Sequence, residues 1–141
     1  MQEVLNSQHA FHWPITVYYE DTDAGGVVYH SNYIKFFERA RTELLRSKGV
    51  SQQDLRQQQL GFVVRHIDID FLRGAVLDEQ LTVTTFVTEA RKASLTFCQE
   101  LVNLDGIVLC KATVKVACIH TERMKPRAIP SSLISEITSD R

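Results

Sequence analysis

Apolar residues recur at the spacing of one helix face in the first third of the chain. Tyr33, Phe37, Ala40 and Leu44 stand four, three and four residues apart. Ile34, Phe36 and Leu45 lie beside them and widen this apolar face. Ser31 or Asn32 can cap the start, and Gly49 is a typical stop. Glu38 and Arg41 have the spacing of an ion pair on the wetter side. The pattern predicts one long helix whose broad apolar face the rest of the chain must cover.

Elsewhere the period of the apolar residues is two. Residues 13–20 alternate and predict an opening strand, and Ser51 predicts the cap of a short helix that ends near residue 61. Four further strands follow, at residues 62–72, 81–88, 94–102 and 107–119. The Asp105-Gly106 turn predicts that the last two strands form a hairpin, and residues 131–137 predict a short terminal helix.

This order of elements predicts an α+β fold with one curved antiparallel sheet wrapped around one long central helix. The 141 residues form a single domain on length, with a core of about residues 13–130. The strand at 107–119 has apolar residues towards both faces, namely Ile107, Leu109 and Ile119 opposite the valine and cysteine positions. That pattern predicts that another subunit covers part of its outer surface.

Composition narrows the functional classes. A formal net charge of −1 gives no reason to expect a nucleic-acid partner. The first 13 residues lack the basic start and apolar run of a signal peptide, and no window approaches a membrane span, so we expect a cytoplasmic protein. Cys98, Cys110 and Cys118 form no CxxC pair and the histidines are scattered, so we expect reduced, mostly buried thiols and no metal site.

The candidate chemistry lies in the turn between the first strand and the long helix, Asp-Thr-Asp-Ala-Gly-Gly at residues 21–26. Two glycines permit close approach of the backbone to a ligand, and a helix N-terminus favours a neighbouring carboxylate in its ionised form. Asp23 could therefore be a catalytic carboxylate or merely cap the turn. Asp21 is the rival acid, and we expect it to bond backbone amides.

Several segments resemble one family. YYEDTDAGGVVYH at residues 18–30, FERARTE at 37–43 and KPRAIP at 125–130 are similar to the hotdog-fold acyl-CoA thioesterases. Within them the chain resembles the 4-hydroxybenzoyl-CoA thioesterase branch, and most closely its YbgC type, which is associated with the Tol–Pal envelope system. The benzoyl enzymes often carry proline after the second acid, where this chain has Ala24. That departure fits the YbgC type and argues against an aromatic acyl group. We expect a short-chain aliphatic acyl-CoA as the substrate.

The resemblance implies an enzyme that hydrolyses acyl-CoA to free acid and CoA, without a cofactor because CoA is part of the substrate. Asp23 would be the nucleophile or general base, and the backbone N–H of His30 would bind the thioester oxygen. The His30 side chain could assist as an acid or base. Gly25 and Gly26 would let the substrate approach, and Tyr29 would pack beside the site or line the acyl pocket.

The resemblance also implies where CoA binds and how the chains assemble. Basic residues would hold the CoA nucleotide at a sheet edge and in the C-terminal loop: Arg91 and Lys92 with Ser94, then Lys125 and Arg127. The chain would form a homodimer or homotetramer with the active site between protomers. Val63 and Val64 of the neighbouring chain would then face Asp23.

Other functions stay open on the sequence. The main alternative is a non-catalytic module that binds acyl groups or acyl carrier protein and scaffolds phospholipid-synthesis or envelope enzymes. A hotdog dehydratase is a weaker possibility, because its catalytic histidine is placed differently. An ionised carboxylate beside an acyl carbon has no use in a binding module, so Asp23 favours the hydrolase.

Overall fold

The computed structural model describes residues 10–138. Residues 1–11 show no period in the sequence, which predicts an irregular lead-in; residues 1–9 lie outside the described residues, and Phe11 already belongs to the first strand. Its strands are β1 Phe11–Thr16, β2 Leu60–Phe71, β3 Gln80–Ala90, β4 Ser94–Asn103, β5 Val108–His120 and β6 Lys125–Pro126. Its α-helices are α1 His30–Ser47, α2 Gln52–Gln57 and α3 Ser131–Thr138. The predicted succession of a strand, two helices, four long strands and a terminal helix is confirmed.

The strands form one antiparallel sheet in the order β1-β3-β4-β5-β2, and the short β6 pairs with the end of β5. The Asp-Gly turn joins β4 to β5 as predicted, and Gly106 has the positive φ of 81° that such a turn requires. Strand β2 pairs along its length with β5, from Leu60 opposite His120 to Phe71 opposite Cys110. One side of β2 therefore forms an edge of the sheet.

Helix α1 covers the inner face of the sheet with the residues that its pattern predicted. Six of the seven apolar positions are buried: Tyr33, Phe36, Phe37, Ala40, Leu44 and Leu45. They belong to the same core cluster as the inward residues of β3, β4 and β5, such as Val83, Phe97 and Val114. Burial of each large side chain contributes roughly 1.5–3 kcal/mol, so this contact is the main support of the fold.

The start of α1 differs from the prediction. The helix begins at His30, its cap residue is Tyr29, and no side chain among the described residues caps it. Neither Ser31 nor Asn32 is the cap; Asn32 instead donates its Nδ2 to the carbonyl of Asp21 at 3.0 Å. The opening strand is also shorter than predicted, because β1 ends at Thr16 and the chain then forms a 3-10 turn over Tyr19–Asp21.

The apolar residues predicted on the outer face of β5 do not need a partner subunit to cover them. Leu109 and Ile119 are buried within the single chain, and Ile107 alone of the three is exposed. Leu109 lies at an irregularity in the β4–β5 register, and Ile119 pairs with β6. Between them, Lys111, Thr113 and Lys115 are polar and exposed or half-buried, and Ala117 is buried. This strand therefore gives no argument for a partner subunit.

A polar network is buried between α1 and the sheet. Arg41 is 7% exposed and donates from Nη1 to Gln99 Oε1 at 3.0 Å. Gln99 in turn donates from Nε2 to the Phe37 carbonyl at 2.9 Å and to Thr85 Oγ1 at 3.0 Å. The predicted surface pair of Glu38 with Arg41 is wrong, because no carboxylate of residues 10–138 lies within ion-pair distance of Arg41. Burial lowers the pKa of Arg41, and the charge of Glu38 partly offsets that effect.

Two of the three cysteines are buried, as predicted. Burial raises the pKa of Cys110 to about 12 and also raises the pKa of Cys118, so both thiols are neutral. Cys98 is half-buried on the outer face of β4. Within residues 10–138, no group of three or more His, Cys, Asp or Glu side chains is arranged to hold a metal ion. Nor does any helix in that range have the length and apolar character needed to cross a membrane.

Candidate active site

The Asp23 turn is held by its own backbone. The Asp23 N–H donates to the Val27 carbonyl at 2.8 Å, and the Gly26 N–H donates to the Asp23 carbonyl at 3.0 Å. Gly26 has a φ of 84°, which a residue with a side chain adopts only with strain. The turn closes where Thr22 and Val28 form an antiparallel bridge. It therefore returns the chain directly to the N-terminus of α1.

The carboxylate of Asp23 is exposed at the outside of this turn. Its Oδ1 accepts a hydrogen bond from the Gly25 N–H at 2.8 Å. A Cβ atom at position 25 would lie 3.2 Å from that oxygen, so the glycine leaves room for the carboxylate. Asp23 Oδ2 makes no hydrogen bond to residues 10–138 and is open to a substrate or a water molecule.

Asp21 has the structural contacts that the sequence predicted. Its side chain is buried, and Oδ2 accepts a hydrogen bond from the Tyr18 N–H at 2.9 Å. Its carbonyl accepts from the Tyr29 N–H at 2.9 Å and from Asn32 at 3.0 Å. These bonds fix the Asp23 turn against the first residues of α1.

The N-terminus of α1 offers hydrogen-bond donors next to the turn. The first N–H groups of a helix have no partner within it, and those of His30 and Ser31 find no acceptor elsewhere in residues 10–138. The His30 ring is exposed, 4.3 Å from the ring of Tyr29 and 6.3 Å from that of Phe71, measured between centroids. Tyr29 is half exposed and therefore stacks beside the site without closing it.

Tyr33, a buried residue in the first turn of α1, packs against the site from the core. Its hydroxyl accepts a hydrogen bond from the Ala75 N–H at 3.0 Å, and its ring lies 5.5 Å from that of Phe71. Burial raises the pKa of Tyr33, and the charge of Asp23 adds to that effect. The turn, the start of α1 and the end of β2 thus form one exposed region, which we call the aspartate end.

The predicted basic residues form a second region. Backbone hydrogen bonds join the β3–β4 turn to the C-terminal loop: Ile129 N–H donates to Lys92 O at 2.8 Å, and Cys118 N–H to Ala93 O at 2.8 Å. Arg127 N–H donates to Cys118 O at 2.9 Å. Two clusters that are 33 residues apart in sequence are therefore neighbours, and we call this region the basic end. It holds Arg91, Lys92, Ser94, Lys125 and Arg127, and its four cations are exposed.

One of these cations already has a partner. Arg91 Nη2 lies 2.8 Å from Glu89 Oε2 in an exposed ion pair. The hydrogen bond from Arg91 lowers the pKa of Glu89 and raises that of Arg91. Lys92 and Arg127 are the better candidates for an anionic ligand, because no such carboxylate competes for them within residues 10–138.

The two regions lie at opposite ends of one chain. The aspartate end adjoins Phe71, the last residue of β2, whereas the basic end adjoins His120, which pairs with the first residue, Leu60. Strand β2 has 12 residues and at about 3.3 Å per residue spans roughly 35 Å. Val63 and Val64, 36% and 46% exposed, lie near its start and far from Asp23 of the same chain.

An antiparallel sheet wrapped around one long helix, with a carboxylate on a glycine turn before that helix, defines a hotdog-fold protein of the thioesterase class. The model of the thioesterase-like superfamily matches residues 17–137, and the chain belongs to this family. The predictions of the family, the hotdog fold and a thioesterase enzyme are confirmed.

Individual relatives agree with this assignment. The chain is 51% identical over 126 residues to the acyl-CoA thioesterase YbgC of Haemophilus influenzae. This match covers 89% of this chain and 92% of that protein. It is 48% identical over 126 residues to the acyl-CoA thioester hydrolase YbgC of Escherichia coli O6:H1, with 89% and 94% covered. A 1,4-dihydroxy-2-naphthoyl-CoA thioesterase from Synechocystis has a similar structure, with a TM-score of 0.85, 25% identity and coverage of 91% and 95%.

Proposed function

We propose that the chain hydrolyses acyl-CoA thioesters and that Asp23 is the catalytic carboxylate. The observation that carries this proposal is the exposed side chain of Asp23, fixed on a glycine turn beside helix N–H groups that find no acceptor in the described part of the chain. Thioester hydrolysis needs a nucleophile or base on one side of the carbonyl carbon and donors for the developing oxyanion on the other. The acyl-CoA substrate is further supported by the activities of the named relatives.

Two routes are open to the same geometry. In the first, Asp23 Oδ2 attacks the carbonyl carbon, the C–S bond breaks, and water hydrolyses the resulting mixed anhydride. In the second, Oδ2 removes a proton from a water molecule that attacks instead. In both, the N–H groups of His30 and Ser31 hold the carbonyl oxygen as it gains negative charge.

The substitution Asp23→Asn tests this assignment, because it keeps the shape of the side chain and removes its charge. We expect kcat to fall at least 100-fold, or about 2.7 kcal/mol of barrier, with unchanged thermal stability, measured by thiol release from butyryl-CoA. Asp105→Asn makes the same chemical change at an exposed turn outside the site and should keep full activity. More than about a tenth of wild-type turnover in Asp23→Asn would show that Asp23 is not catalytic.

The same experiment separates hydrolysis from the alternative role. A module that only binds acyl groups or acyl carrier protein would show no turnover in the wild-type protein. Ala24 argues against an aromatic acyl group, and we further infer a short aliphatic acyl group and a cytoplasmic protein. Association with Tol–Pal or phospholipid-synthesis enzymes stays a prediction.

We also propose that the working unit is a dimer paired through β2. Among residues 10–138, no strand pairs with the outer side of β2, which is 12 residues long, and such an edge favours pairing with another strand. Large apolar side chains near both of its ends are about half exposed: Val63, Val64, Phe71 and Leu72. A two-fold contact between two β2 edges would cover these side chains and satisfy the edge.

Such a contact would also assemble one complete site from two chains. Antiparallel pairing about the middle of β2 brings Phe71 of one protomer beside Leu60 of the partner subunit. The aspartate end of each protomer then adjoins Val63, Val64 and the basic end of the other. An acyl-CoA could bind its thioester at Asp23 and its phosphates at the partner's Lys92 and Arg127. A tetramer would need a further contact, for which the polar outer face of β5 gives no support.

A further inference from the structure

A cavity of about 240 Å³ lies between α1 and the sheet, near the start of β2. Most of its lining is apolar, from Leu45 on the helix and from Phe62, Val64, Leu95, Phe97 and Val116 on the strands. Glu38 and Arg41 are the two charged residues in the lining. An apolar cavity with few polar groups is the usual form of a small-molecule site.

Arg41 has hydrogen-bond donors to spare in this cavity. A guanidinium carries five N–H donors, and Gln99 Oε1 accepts from one of them. Within residues 10–138, no fully buried side-chain nitrogen lacks a hydrogen-bond partner, so the remaining guanidinium nitrogens face space that solvent can enter. The side chain is otherwise buried, and within residues 10–138 the carboxylate whose charge acts on it, that of Glu38, lies beyond ion-pair distance, so the remaining donors have no anionic partner in direct contact. The cavity is therefore suited to an anionic group.

The cavity is too far from Asp23 of the same chain to serve it. Arg41 follows His30 by 11 residues, which is about 16 Å along the helix axis at 1.5 Å per residue. In the dimer proposed above, however, the partner's Asp23 turn approaches Phe62 and Val64, which line the cavity. An acyl group attached at the partner's aspartate end would then point into it.

We propose that this cavity binds the acyl chain and that Arg41 recognises a carboxylate at its far end, so that the preferred substrates are CoA thioesters of short dicarboxylic acids. This inference rests on the proposed hydrolysis and on the β2 dimer. The volume is consistent with it: at about 30 Å³ per heavy atom, taking the share of a water molecule, the cavity holds about eight. A five-carbon dicarboxylic acyl group has six heavy atoms beyond its thioester carbonyl.

The test compares two substrates of equal shape, glutaryl-CoA and 5-methylhexanoyl-CoA, which differ only in having a carboxylate or an isopropyl group at the end. We expect the wild-type kcat/KM to be at least about tenfold higher for glutaryl-CoA, because a site built around a polar contact rejects the analogue that lacks it. Arg41→Met should lower the glutaryl-CoA value roughly 100-fold and leave that of the isostere unchanged or higher. Glu38→Gln should raise the glutaryl-CoA value, since it removes a like charge from the lining.

Control variants separate recognition from general damage. Arg46→Met removes an exposed cation on the same helix, which pairs with Glu43 at 2.6 Å, and should leave the substrate ratio unchanged. A wild-type preference for 5-methylhexanoyl-CoA, or an equal loss on both substrates in Arg41→Met, would overturn the assignment of Arg41. If Arg41→Met does not fold, the wild-type ratio decides. Absence of hydrolysis with either substrate and with butyryl-CoA would instead refute the proposed function.

Discussion

A site shared between two chains predicts that two inactive variants restore activity when they are mixed. One variant is Asp23→Asn, which keeps its basic end, and the other is Lys92→Glu with Arg127→Glu, which keeps its aspartate end. Strand β2, which runs from one region to the other in a single chain, is about 35 Å long at about 3.3 Å per residue. In the proposed dimer, one acyl-CoA therefore contacts both protomers.

The size of the recovery follows from the symmetry. Random association of equal amounts gives half mixed dimers, and each mixed dimer has one intact site and one site that carries both defects. The mixture should therefore regain about a quarter of wild-type activity. If each site lay within one chain, neither protomer of the mixed dimer would be intact, and activity would stay at the level of the parent variants.

The assay is thiol release at acyl-CoA concentrations below the wild-type KM, after the two proteins have been unfolded together and refolded. Two different affinity tags isolate the mixed species, and light scattering gives its mass. Each variant refolded alone is the control. Purified mixed dimers without activity above the parent variants would refute the shared site, and active protein at the mass of a single chain would refute the dimer itself.

Two further predictions concern binding and stability. The double variant Lys92→Ala and Arg127→Ala should raise KM for acyl-CoA more than it lowers kcat, and should leave KM for a pantetheine thioester unchanged. Lys111→Ala on the outer face of the sheet is the control. An equal rise in KM for both substrates would show that the basic end does not bind the CoA phosphates. Burial raises the pKa of Cys110 to about 12, so its neutral thiol stabilises the fold fully below pH 9 and progressively less as the pH rises towards 12. The urea-unfolding free energy should therefore lose about 1.4 kcal/mol between pH 8 and 10 through this group, and Cys110→Ala, but not Cys98→Ala, should be free of that loss.

The elements that local patterns determine could be predicted from the sequence. The long helix, the β4–β5 hairpin and the Ser51 cap, whose Oγ accepts from the Asp54 N–H at 3.0 Å, all depend on residues within a few positions of each other. The start of α1 could not, because Asn32 bonds the carbonyl of Asp21, eleven residues earlier. Capping rules apply to residues that are close in sequence, whereas this contact forms only because the turn folds back onto the start of α1.

The candidate active site could likewise be predicted only where its residues are close together in sequence. The turn at residues 21–26 is continuous in sequence, so its glycines and its two acids could be found from the motif. The proximity of Lys92 to Ile129 depends on where β4 and β5 pair, which a pattern of alternating residues does not determine. The distance between the aspartate end and the basic end follows only from the order of strands in the sheet.

Arg41 could have been placed correctly from the helical period alone. It stands four residues after Phe37 and four before Leu45, both buried, so its position belongs to the apolar face. Its charge instead suggested a surface pair with Glu38. The position of a residue in the helical period determines which way its side chain projects. The charge of the side chain determines only which hydrogen-bond or ion-pair partners it requires at that position.

Gln99 is the polar residue at an apolar position on the strand that faces Arg41. It alternates with Phe97 and Leu101, both buried, and so projects inward from β4 towards the helix. A buried polar group without a partner costs roughly 1–3 kcal/mol in proteins, so two polar exceptions on facing surfaces predict a contact, and the bond from Arg41 to Gln99 is that contact. One amide oxygen cannot satisfy a guanidinium, and the donors that remain beside an apolar cavity are the reason to look for a carboxylate on the substrate.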